Sequence, residues 1–570
     1  MPRFDHVILT ASNDAQARGY EAQIAWRREQ AALDPDTQFH VVADPEGRRI
    51  GSLGATIHAL RELLKRITAA RTPGHAGARR LLRDQQILIC HSGGDSRRLP
   101  AYAAQGKVFT PLPTSAASGI PAALFDLALG NYEQLPARTG GGVLIVSGDV
   151  LLTFDPNVVD FDAAGVVGVA YPGPAERGAR HGVFVTDTGS MTTGCSPVSD
   201  FLQKPDEQTA HEREAIDAVG RVLVDTGIFM LDLPTVERLL RVGGVTVSRG
   251  KVATGEGLMR DLDHSESPGL DLYEELAFAL TPRMTWARYR RTMGVNEHSA
   301  HAGRLRRLHD ALHRVGFHVN VLPYCDFFHI GTSRELLSNV ASLTRTAEQY
   351  GFTNLSGSVI KAGASLEGAF AYNSIVASSQ VRASQATLME AVHADRPVEL
   401  PGTNILVGLP PRAKGKQALR LRENLGLVCV PVGKDDWAAV VFGIDDDFKG
   451  TRDTDAGCLF LNASIDAWLD RHAISPDDLW ANGAPQDLWQ AKLWTVGPLD
   501  RVLAHAKWMQ SPRTQSKATA DWRKARRVNM AELLPRVNHE RLLAHRQEIR
   551  RHVKLDHLAD RLVADDELPA

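Results

Sequence analysis

The feature that most constrains the fold is an alternation of strand-like and helical patterns over the first 150 residues. Apolar strand-like runs at 4–10, 86–90 and 142–146 are separated by stretches with helical spacing, such as 56–65. Alternation of this kind favours a mostly parallel sheet covered by helices on both faces. We therefore predict an α/β domain over residues 1–340.

The sequence pattern changes after this domain. Helical periodicity disappears between about 355 and 445, and small residues separate single aliphatic residues there. A spacing of about six residues between apolar positions is typical of a left-handed parallel β-helix, in which each short strand buries one residue. We predict such a β-helix over 341–455. A helical, Trp-rich region is expected over 456–570.

The composition excludes several classes of protein. Hydrophobic residues make up 43% and charged residues 23%, which is ordinary for a globular chain. Since 65 Lys and Arg nearly balance 67 Asp and Glu, no global field favours nucleic acid or a membrane surface as a partner. No apolar stretch approaches the roughly 18 residues of a spanning helix, and no signal-peptide pattern is evident. Five scattered cysteines without a C-x-x-C pair indicate a cytoplasmic protein lacking disulfides and structural zinc.

The most informative segment follows the apolar run that ends at Cys90. It reads HSGGDSRRLP (91–100) and continues as GKVFTPLP (106–113). Glycine amides can approach phosphate oxygens closely because no Cβ obstructs them. An arginine followed by a lysine can neutralise charge that develops on a leaving polyphosphate. The joint occurrence of these elements indicates phosphate chemistry more specifically than a glycine turn alone.

The segment resembles the signature of sugar-1-phosphate nucleotidyltransferases, G-G-x-G-T-R-L-x-P followed by a lysine. On that pattern Arg98 takes the arginine position and Lys107 the lysine position, which makes both candidate catalytic residues. Ser96 and Arg97 stand where glycine and threonine are usual. These departures are similar to GDP-fucose pyrophosphorylases, whose segments read H-x-G-G-D-S-x-R-x-P and G-K-V-F-x-P-L-P.

Further segments at 10–20, 44–56, 328–333 and 488–494 resemble the same family. Their order is that of the pyrophosphorylase half of bifunctional fucokinase/GDP-fucose pyrophosphorylases. No P-x-x-x-G-L-x-S-S kinase phosphate loop occurs in the chain. The resemblance therefore implies that a fucokinase is a separate polypeptide or the remainder of a longer chain. A homo-oligomer is the other partner we expect.

The resemblance also implies a Rossmann-like nucleotidyltransferase domain that uses Mg²⁺. In this superfamily a Gly-Asp pair after a strand holds the metal, and VSGDVL (146–151) places Asp149 there. An apolar strand that ends in a turn with one carboxylate suits a hard cation at the edge of a sheet. Asp149 is therefore the candidate catalytic and metal residue, with an ordinary strand-end turn as the alternative.

Candidate substrate residues follow from the same resemblance. FLQKP (201–205) is similar to the superfamily's Glu-Lys-Pro element, so Lys204 is expected to meet the sugar 1-phosphate. Gly182 and the Asp225-Thr226-Gly227 turn are expected to approach sugar and nucleotide, ordinary turn chemistry being the alternative. The candidate nucleotide-binding residues lie in two glycine-rich turns: Gly51, Ser52, Gly54, Gly93, Gly94, Asp95 and Ser96.

The implied reaction is transfer of GMP from GTP to L-fucose 1-phosphate, which releases pyrophosphate. Two alternatives stay open. One is a pyrophosphorylase for another nucleotide or sugar 1-phosphate, since no residue reads guanine or a 6-deoxy carbon directly. The other is a non-catalytic, sugar-nucleotide-binding subunit that docks a kinase through basic C-terminal helices.

Overall fold

The computed structural model describes residues 3–70, 77–116, 118–187, 191–262, 268–346, 350–411, 418–454 and 457–566. The chain forms two compact units, each built from separated stretches of sequence. The first unit comprises Met1–Ala17, Leu33–Gly93 and Ala128–Phe328, and the second comprises Arg18–Ala32, Gly94–Leu127 and His329–Ala570. The domain boundaries after 340 and 455 stay a prediction.

Helices and strands alternate in the first unit, whereas short strands and then helices dominate the second. The strands, in chain order, are β1 His6–Ala11, β2 Gln38–Ala43, β3 Gln86–His91, β4 Pro111–Ser115, β5 Pro121–Ala123, β6 Gly142–Ser147, β7 Val150–Thr153, β8 Val166–Pro174, β9 Gly182–Thr186, β10 Gly194–Gln203, β11 Arg221–Asp232, β12 Val245–Ser248, β13 Lys251–Thr254, β14 Phe317–Val321, β15 Asp326–His329, β16 Val359–Ile360, β17 Ser365–Leu366, β18 Phe370–Tyr372, β19 Ile375–Val376, β20 Val381–Ala383, β21 Leu388–Glu390, β22 Val398–Leu400, β23 Ile405–Val407, β24 Leu419–Arg420, β25 Leu425–Val432, β26 Asp436–Gly443, β27 Leu459–Phe460, β28 Ala463–Ser464, β29 Trp494–Gly497 and β30 Arg526–Val528. The α-helices are α1 Asp14–Glu29, α2 Gly51–Ala70, α3 Ala78–Leu81, α4 Leu124–Glu133, α5 Ala175–Gly178, α6 Glu207–Glu212, α7 Leu233–Val242, α8 Leu258–Leu262, α9 Ala277–Leu280, α10 Trp286–Thr292, α11 Ala300–Leu312, α12 Ser333–Thr346, α13 Ile465–His472, α14 Leu499–Met509, α15 Ser516–Lys524, α16 Met530–Leu533 and α17 His539–Asp566.

Nine strands of the first unit form one sheet in the order β2-β1-β3-β6-β11-β8-β14-β10-β9. Strands β2, β1, β3 and β6 pair in parallel, so the strands expected at 4–10, 86–90 and 142–146 are confirmed. All six residues of β1 are buried, as expected of a strand covered on both faces. The helix expected at 56–65 lies within α2, whose buried residues include Ile57, Leu60 and Leu64.

The prediction of a mostly parallel sheet is wrong for the other half of this sheet, although the α/β class is confirmed. Strand β11 is inserted between β6 and β8 and runs antiparallel to both. Strands β9 and β10 also pair in antiparallel fashion, and only β8 and β14 are parallel there. A continuous apolar run shows that a strand is buried but not its direction. Antiparallel neighbours also need no crossover helix that a sequence pattern would reveal.

Short parallel strands recur through the middle of the second unit. Strands β18, β21, β23 and β25 form one parallel ladder, and β17, β20, β22 and β24 form another. Paired residues such as Val381 and Val398 are 17 residues apart, so each coil of chain adds one strand to each ladder. Both valines are buried, whereas the residues that follow them, Arg382 and Glu399, are exposed. The parallel strands expected in 341–455 are present, and the left-handed β-helix stays a prediction.

The helical, Trp-rich end of the second unit is confirmed. Rings of Trp468, Trp508 and Trp522 lie 5.4–6.3 Å apart, and the Trp522 indole N–H donates to a backbone carbonyl. The C-terminal helix α17 is tied to β21 by Arg546, which donates to both oxygens of the fully buried Glu390 carboxylate at 2.9 and 2.6 Å. Among the described residues, every helix is too short or too polar to span a membrane.

Candidate active site

The turn that carries Asp149 is fixed against the turn that begins the glycine-rich segment. Strands β3 and β6 pair in parallel and end side by side at His91 and Ser147. Gly148 N donates to the His91 carbonyl at 2.9 Å. A Cβ at Gly148 would lie 2.9 Å from Ser92 Cβ, so this close approach requires glycine. The Asp149 carboxylate therefore lies at the carboxyl edge of the parallel strands, where open α/β sheets bind ligands.

The imidazole of His91 joins three elements beneath this edge. Its Nε2 lies 2.9 Å from Thr56 Oγ1 on α2, and its Nδ1 lies 3.4 Å from Thr10 Oγ1 on β1. Burial lowers the pKa of His91 to about 4, so the ring is neutral at pH 7. Gly93, two residues further on, is exposed and lies beside the backbone of Ala11. His91 thus connects the start of the loop to α2 and β1 without adding charge.

Three carboxylates influence one hydroxyl group at the same edge. Ser147 Oγ donates to Asp149 Oδ1 at 2.8 Å. The pKa of Tyr273 is raised well above its usual value, first by burial and then by the charges of Asp225, Asp271 and Asp149. The Tyr273 hydroxyl therefore stays protonated, and it donates to the Gly227 carbonyl at 3.5 Å.

The turn formed by Asp225, Thr226 and Gly227 interrupts β11. Gly227 has φ +78° and its N–H donates to Asp225 Oδ1 at 2.8 Å, while Thr226 Oγ1 donates to the Val169 carbonyl at 2.7 Å. A Cβ on Gly227 would lie 3.5 Å from Ser147 Cβ, which places this turn against the end of β6. Burial raises the pKa of Asp225 to about 7.

Lys204 and Gly182 lie at the adjoining end of the β9–β10 hairpin. The Lys204 N–H donates to the His181 carbonyl at 3.0 Å, and the Lys204 side chain is exposed. A Cβ added to Gly182 would lie 2.5 Å from the Phe201 ring and 3.1 Å from Asp225 Cβ. The structure thus brings together the five residues that the sequence predicts for substrate binding.

The residues at this edge fit a magnesium ion. Mg²⁺ prefers oxygen ligands and usually takes one or two protein carboxylates together with substrate phosphates. Asp149 supplies a half-buried carboxylate, and Asp225 supplies a buried one whose raised pKa a nearby cation would lower. Asp149 follows β6 and Asp225 lies at the irregularity in the neighbouring β11, so two carboxylates suited to a hard divalent cation come from adjacent strands of one sheet.

Gly51, Ser52 and Gly54 begin α2 and contact a distant part of the first unit. Gly51 has φ +76° and its α-carbon packs on the Leu270 carbonyl, which also accepts a hydrogen bond from Gly54 N at 3.3 Å. Ser52 Oγ donates to Asp271 Oδ2 at 2.9 Å. These contacts give the glycines a packing role, and their predicted contact with nucleotide stays a prediction.

In the second unit, the arginine next to the candidate catalytic arginine is engaged internally. Arg97 Nε donates to Asp95 Oδ2 at 3.2 Å, and its Nη1 lies 3.6 Å from Asp487 Oδ2. Its guanidinium also lies 5.1 Å from the centre of the Trp489 ring. Arg97 therefore binds its own unit on three sides, which identifies it as a structural residue.

Arg98 has the opposite surroundings. Its side chain is exposed, and its carbonyl accepts a hydrogen bond from Ser333 N at 2.9 Å. Gly94 has φ +141° and a Cβ there would meet no atom within 4 Å, so space is open beside the loop. The buried Ser96 has φ +56°. The backbone of this loop is thus held in place while the Arg98 guanidinium faces outward.

Lys107 opens a single helical turn, Lys107–Phe109, that is anchored by aromatic packing. Gly106, which precedes it, has φ +78° and lies against the Tyr20 ring, where any side chain would overlap it. The Phe109 ring lies 5.4 Å from Tyr20 and 4.8 Å from the Arg27 guanidinium. Lys107 itself is half-buried, and the turn that carries it is anchored by this packing.

The candidate residues fall into one group in each unit. Those of the first unit share one sheet edge, apart from the α2 turn described above: Gly93, Asp149, Gly182, Lys204, Asp225, Thr226 and Gly227. Those of the second unit lie in one segment: Gly94, Asp95, Ser96, Arg98 and Lys107. Sequence reasoning missed His181 and Phe327, although His181 directly precedes a predicted site residue. The roles of the predicted site residues in binding and catalysis stay predictions.

Comparison with known proteins identifies the family. A model of the fucose pyrophosphorylase domain matches residues 79–498. The chain belongs to this family. The match includes Arg98, Lys107 and Asp149 together with the predicted substrate residues, so every catalytic candidate lies within the fucose pyrophosphorylase domain.

Several curated relatives share this region. A bifunctional fucokinase/GDP-fucose pyrophosphorylase of Arabidopsis thaliana is 28% identical over 94% of this chain and 51% of its own length. An L-fucokinase/L-fucose-1-P guanylyltransferase of Bacteroides fragilis is 24% identical over 90% of this chain and 49% of its own. A fucose-1-phosphate guanylyltransferase of Mus musculus is 26% identical over 62% of this chain and 60% of its own. The chain therefore spans about half to three fifths of the length of these relatives.

Proposed function

We propose that this protein is a fucose-1-phosphate guanylyltransferase, which makes GDP-L-fucose and pyrophosphate from GTP and L-fucose 1-phosphate. The observation that carries the proposal is the convergence of Asp149, Lys204 and the Asp225–Gly227 turn at one sheet edge of a fucose pyrophosphorylase domain. A carboxylate, a cation and a glycine-containing turn are what a phosphorylated sugar and a metal-bound triphosphate require.

The chemistry needs positioning and charge stabilisation, with no covalent enzyme intermediate. An oxygen of the sugar phosphate attacks the α-phosphorus of GTP in line with the leaving pyrophosphate. Lys204 holds the sugar phosphate through its ammonium group. Arg98 and Lys107 stabilise the charge that develops on pyrophosphate. A bound Mg²⁺, held by Asp149 with Asp225 nearby, would neutralise charge on the phosphates.

Backbone groups complete the proposed nucleotide site. Gly93 and Gly94 leave room for phosphate oxygens near the loop amides, and Asp95 and Ser96 shape that loop. Because the α2 N-terminus packs on Leu270, we expect this turn to position the nucleotide site rather than to contact the nucleotide directly.

Several features of the setting belong to the same proposal. Two relatives carry fucokinase in their names, so a fucokinase as partner or as the remainder of a longer chain is the partner we propose. All five cysteines are free thiols, which supports a cytoplasmic location. The parallel ladders of the second unit support a left-handed β-helix after the nucleotidyltransferase domain.

The test is pyrophosphate release by the purified chain with GTP, β-L-fucose 1-phosphate and Mg²⁺. Panels of nucleoside triphosphates and hexose 1-phosphates, assayed in parallel, establish the base and sugar. We expect GTP with L-fucose 1-phosphate to give the highest kcat/KM. A higher value for another pair would contradict the substrate assignment. Binding of GDP-L-fucose without turnover of any pair would indicate a non-catalytic subunit.

A further inference from the structure

Three aromatic side chains of the first unit form a cluster beside the predicted sugar-binding residues. The Phe327 ring lies 4.7 Å from the His181 ring in an edge-to-face arrangement and 6.3 Å from the Tyr171 ring. Arg177 donates to the Tyr171 hydroxyl at 3.1 Å, and its guanidinium lies 6.0 Å from the centre of the Phe327 ring. Tyr171 is buried, whereas Phe327 is only half-buried.

Independent contacts place this cluster next to the reacting groups. His181 precedes Gly182, and its carbonyl accepts the Lys204 N–H at 3.0 Å. Tyr171 pairs with Val224, the residue before Asp225. Strand β15, which contains Phe327, pairs with β7, which starts directly after Asp149. The half-buried ring therefore belongs to a strand beside the one that follows Asp149, and it contacts His181, whose carbonyl binds the Lys204 N–H.

An apolar ring at an edge of this kind suits a ligand with an apolar side. L-fucose carries a methyl group at carbon 6, where L-galactose carries a hydroxymethyl group. We propose that Phe327, supported by His181, is the wall that contacts the methyl-bearing side of the sugar and favours 6-deoxyhexose 1-phosphates. This assignment rests on the proposed function, and it names a residue that recognises the methyl group at carbon 6 of the sugar.

The test compares kcat/KM for β-L-fucose 1-phosphate and β-L-galactose 1-phosphate at saturating GTP. An apolar pocket discriminates against an added hydroxyl by up to about 10²-fold, so we expect the unaltered protein to favour fucose by roughly 10–100-fold. Phe327→Leu keeps the wall apolar and should keep most of this ratio. Phe327→Gln introduces hydrogen-bonding groups and should lower the ratio by about tenfold or more.

Trp286→Leu is the matched control, because Trp286 is a half-buried aromatic residue that packs on Tyr289 and His309 of α10 and α11. It should change kcat/KM for both sugars alike. If Phe327→Gln also lowers both values equally, Phe327 only supports the fold and the assignment is overturned. If the unaltered protein turns over neither sugar phosphate, the proposed function itself fails, and this assignment fails with it.

A second inference comes from α11 and does not depend on the activity. His309, Asp310 and His313 each offer a donor atom, and these atoms lie within 4.8 Å of one another. His309 Nε2 donates to the Met284 carbonyl at 2.8 Å, and His313 Nδ1 donates to the His309 carbonyl at 2.9 Å. Since each neutral ring donates through one nitrogen, His309 Nδ1 and His313 Nε2 carry the lone pairs.

These tautomers are those of metal-ligating histidines, whose other ring nitrogen donates to a carbonyl. His309 is only 5% exposed, and its Nδ1 has no hydrogen-bond partner in the described part of the chain. This nitrogen lies 3.6 Å from Asp310 Oδ1. We propose that His309, Asp310 and His313 bind a borderline divalent cation such as Zn²⁺, for which imidazole is a better ligand than it is for Mg²⁺.

Titration of the full chain with ZnCl₂ alone, followed by calorimetry, tests this site. His313→Asn removes a half-buried ligand and should abolish one equivalent of zinc binding. His298→Asn, which removes an exposed histidine just before α11, should not change the stoichiometry. Arg306→Gln should tighten binding, because Arg306 donates to both oxygens of Asp310 at 2.9 and 2.8 Å. Equal zinc stoichiometry and affinity in His313→Asn and His298→Asn would overturn the proposal.

Discussion

Replacement of Arg98 by alanine separates catalysis from folding, because this side chain is exposed in the structure. Among the described residues no acceptor is bonded to the Arg98 guanidinium, so the free energy of unfolding should change by no more than about 0.5 kcal/mol. Removal of a donor that acts on developing charge lowers turnover on the order of 10²–10³, or about 2.7–4 kcal/mol. We therefore expect a stable protein with a large loss of kcat.

Arg97→Ala is the matched control on the adjacent residue. It removes the cation–π contact with Trp489, worth about 1–2 kcal/mol when partly desolvated. It also leaves the buried Asp487 carboxylate without its arginine partner. We expect a lower free energy of unfolding and a loss of kcat of less than about tenfold. Arg97→Ala should thus lower mainly the free energy of unfolding, whereas Arg98→Ala should lower mainly turnover.

The assay is pyrophosphate release at saturating GTP, sugar phosphate and Mg²⁺, with urea unfolding of each variant measured alongside. If Arg98→Ala keeps turnover within tenfold of the unaltered protein, Arg98 does not stabilise the leaving group. If Arg97→Ala loses as much turnover as Arg98→Ala while its unfolding midpoint is unchanged, the two arginines have been assigned the wrong way round.

Four further changes follow from the site. Lys204→Gln should raise KM for the sugar phosphate with KM for GTP unchanged, and a rise for GTP alone would contradict the assignment. Asp149→Asn should raise the Mg²⁺ concentration that gives half-maximal rate, and an unaltered magnesium curve would count against it. Burial raises the pKa of Asp225 to about 7, so ionisation of this carboxyl opposes folding as pH rises from about 4 to 7. Relative to the unaltered protein, Asp225→Asn should therefore gain stability as the pH rises over that range, by up to about 1.4 kcal/mol per pH unit in urea unfolding. If the stability of the two proteins changes with pH in the same way, ionisation of Asp225 is excluded as the cause. Ser96→Gly should stabilise the chain by about 1 kcal/mol, because it relieves a left-handed backbone, and a loss of stability would contradict that reason.

The edge that carries Asp149 could be predicted because its determinants are local. A buried apolar run predicts β6, and a Gly-Asp pair after it predicts a tight turn. The structure adds the reason for the glycine, since a Cβ at Gly148 would collide with Ser92 on the neighbouring turn. Where strand and turn lie within a few residues of each other, chain order alone sets the position of the side chain.

Contacts between distant parts of the sequence could not be predicted in this way. Gly51 and Gly54 have the pattern of a phosphate-binding turn, yet Leu270, more than 200 residues away, packs on their backbone. The direction of β11 is another case, because pairing with β6 and β8 is set by the whole sheet. No sequence pattern singled out Phe327, and only the structure places its ring beside His181.

Ser96 shows how a departure from a motif can preserve its geometry. The nucleotidyltransferase signature has glycine at this position, and Ser96 has φ +56°, a conformation that glycine adopts without strain. A left-handed conformation costs a residue with a Cβ about 1–2 kcal/mol. The Ser96 hydroxyl is also buried and forms no hydrogen bond to any described residue, which adds to the cost. The loop therefore keeps the path that the signature requires despite the serine. Strain that persists in this way at a candidate phosphate loop is consistent with selection for the binding of ligand rather than for stability.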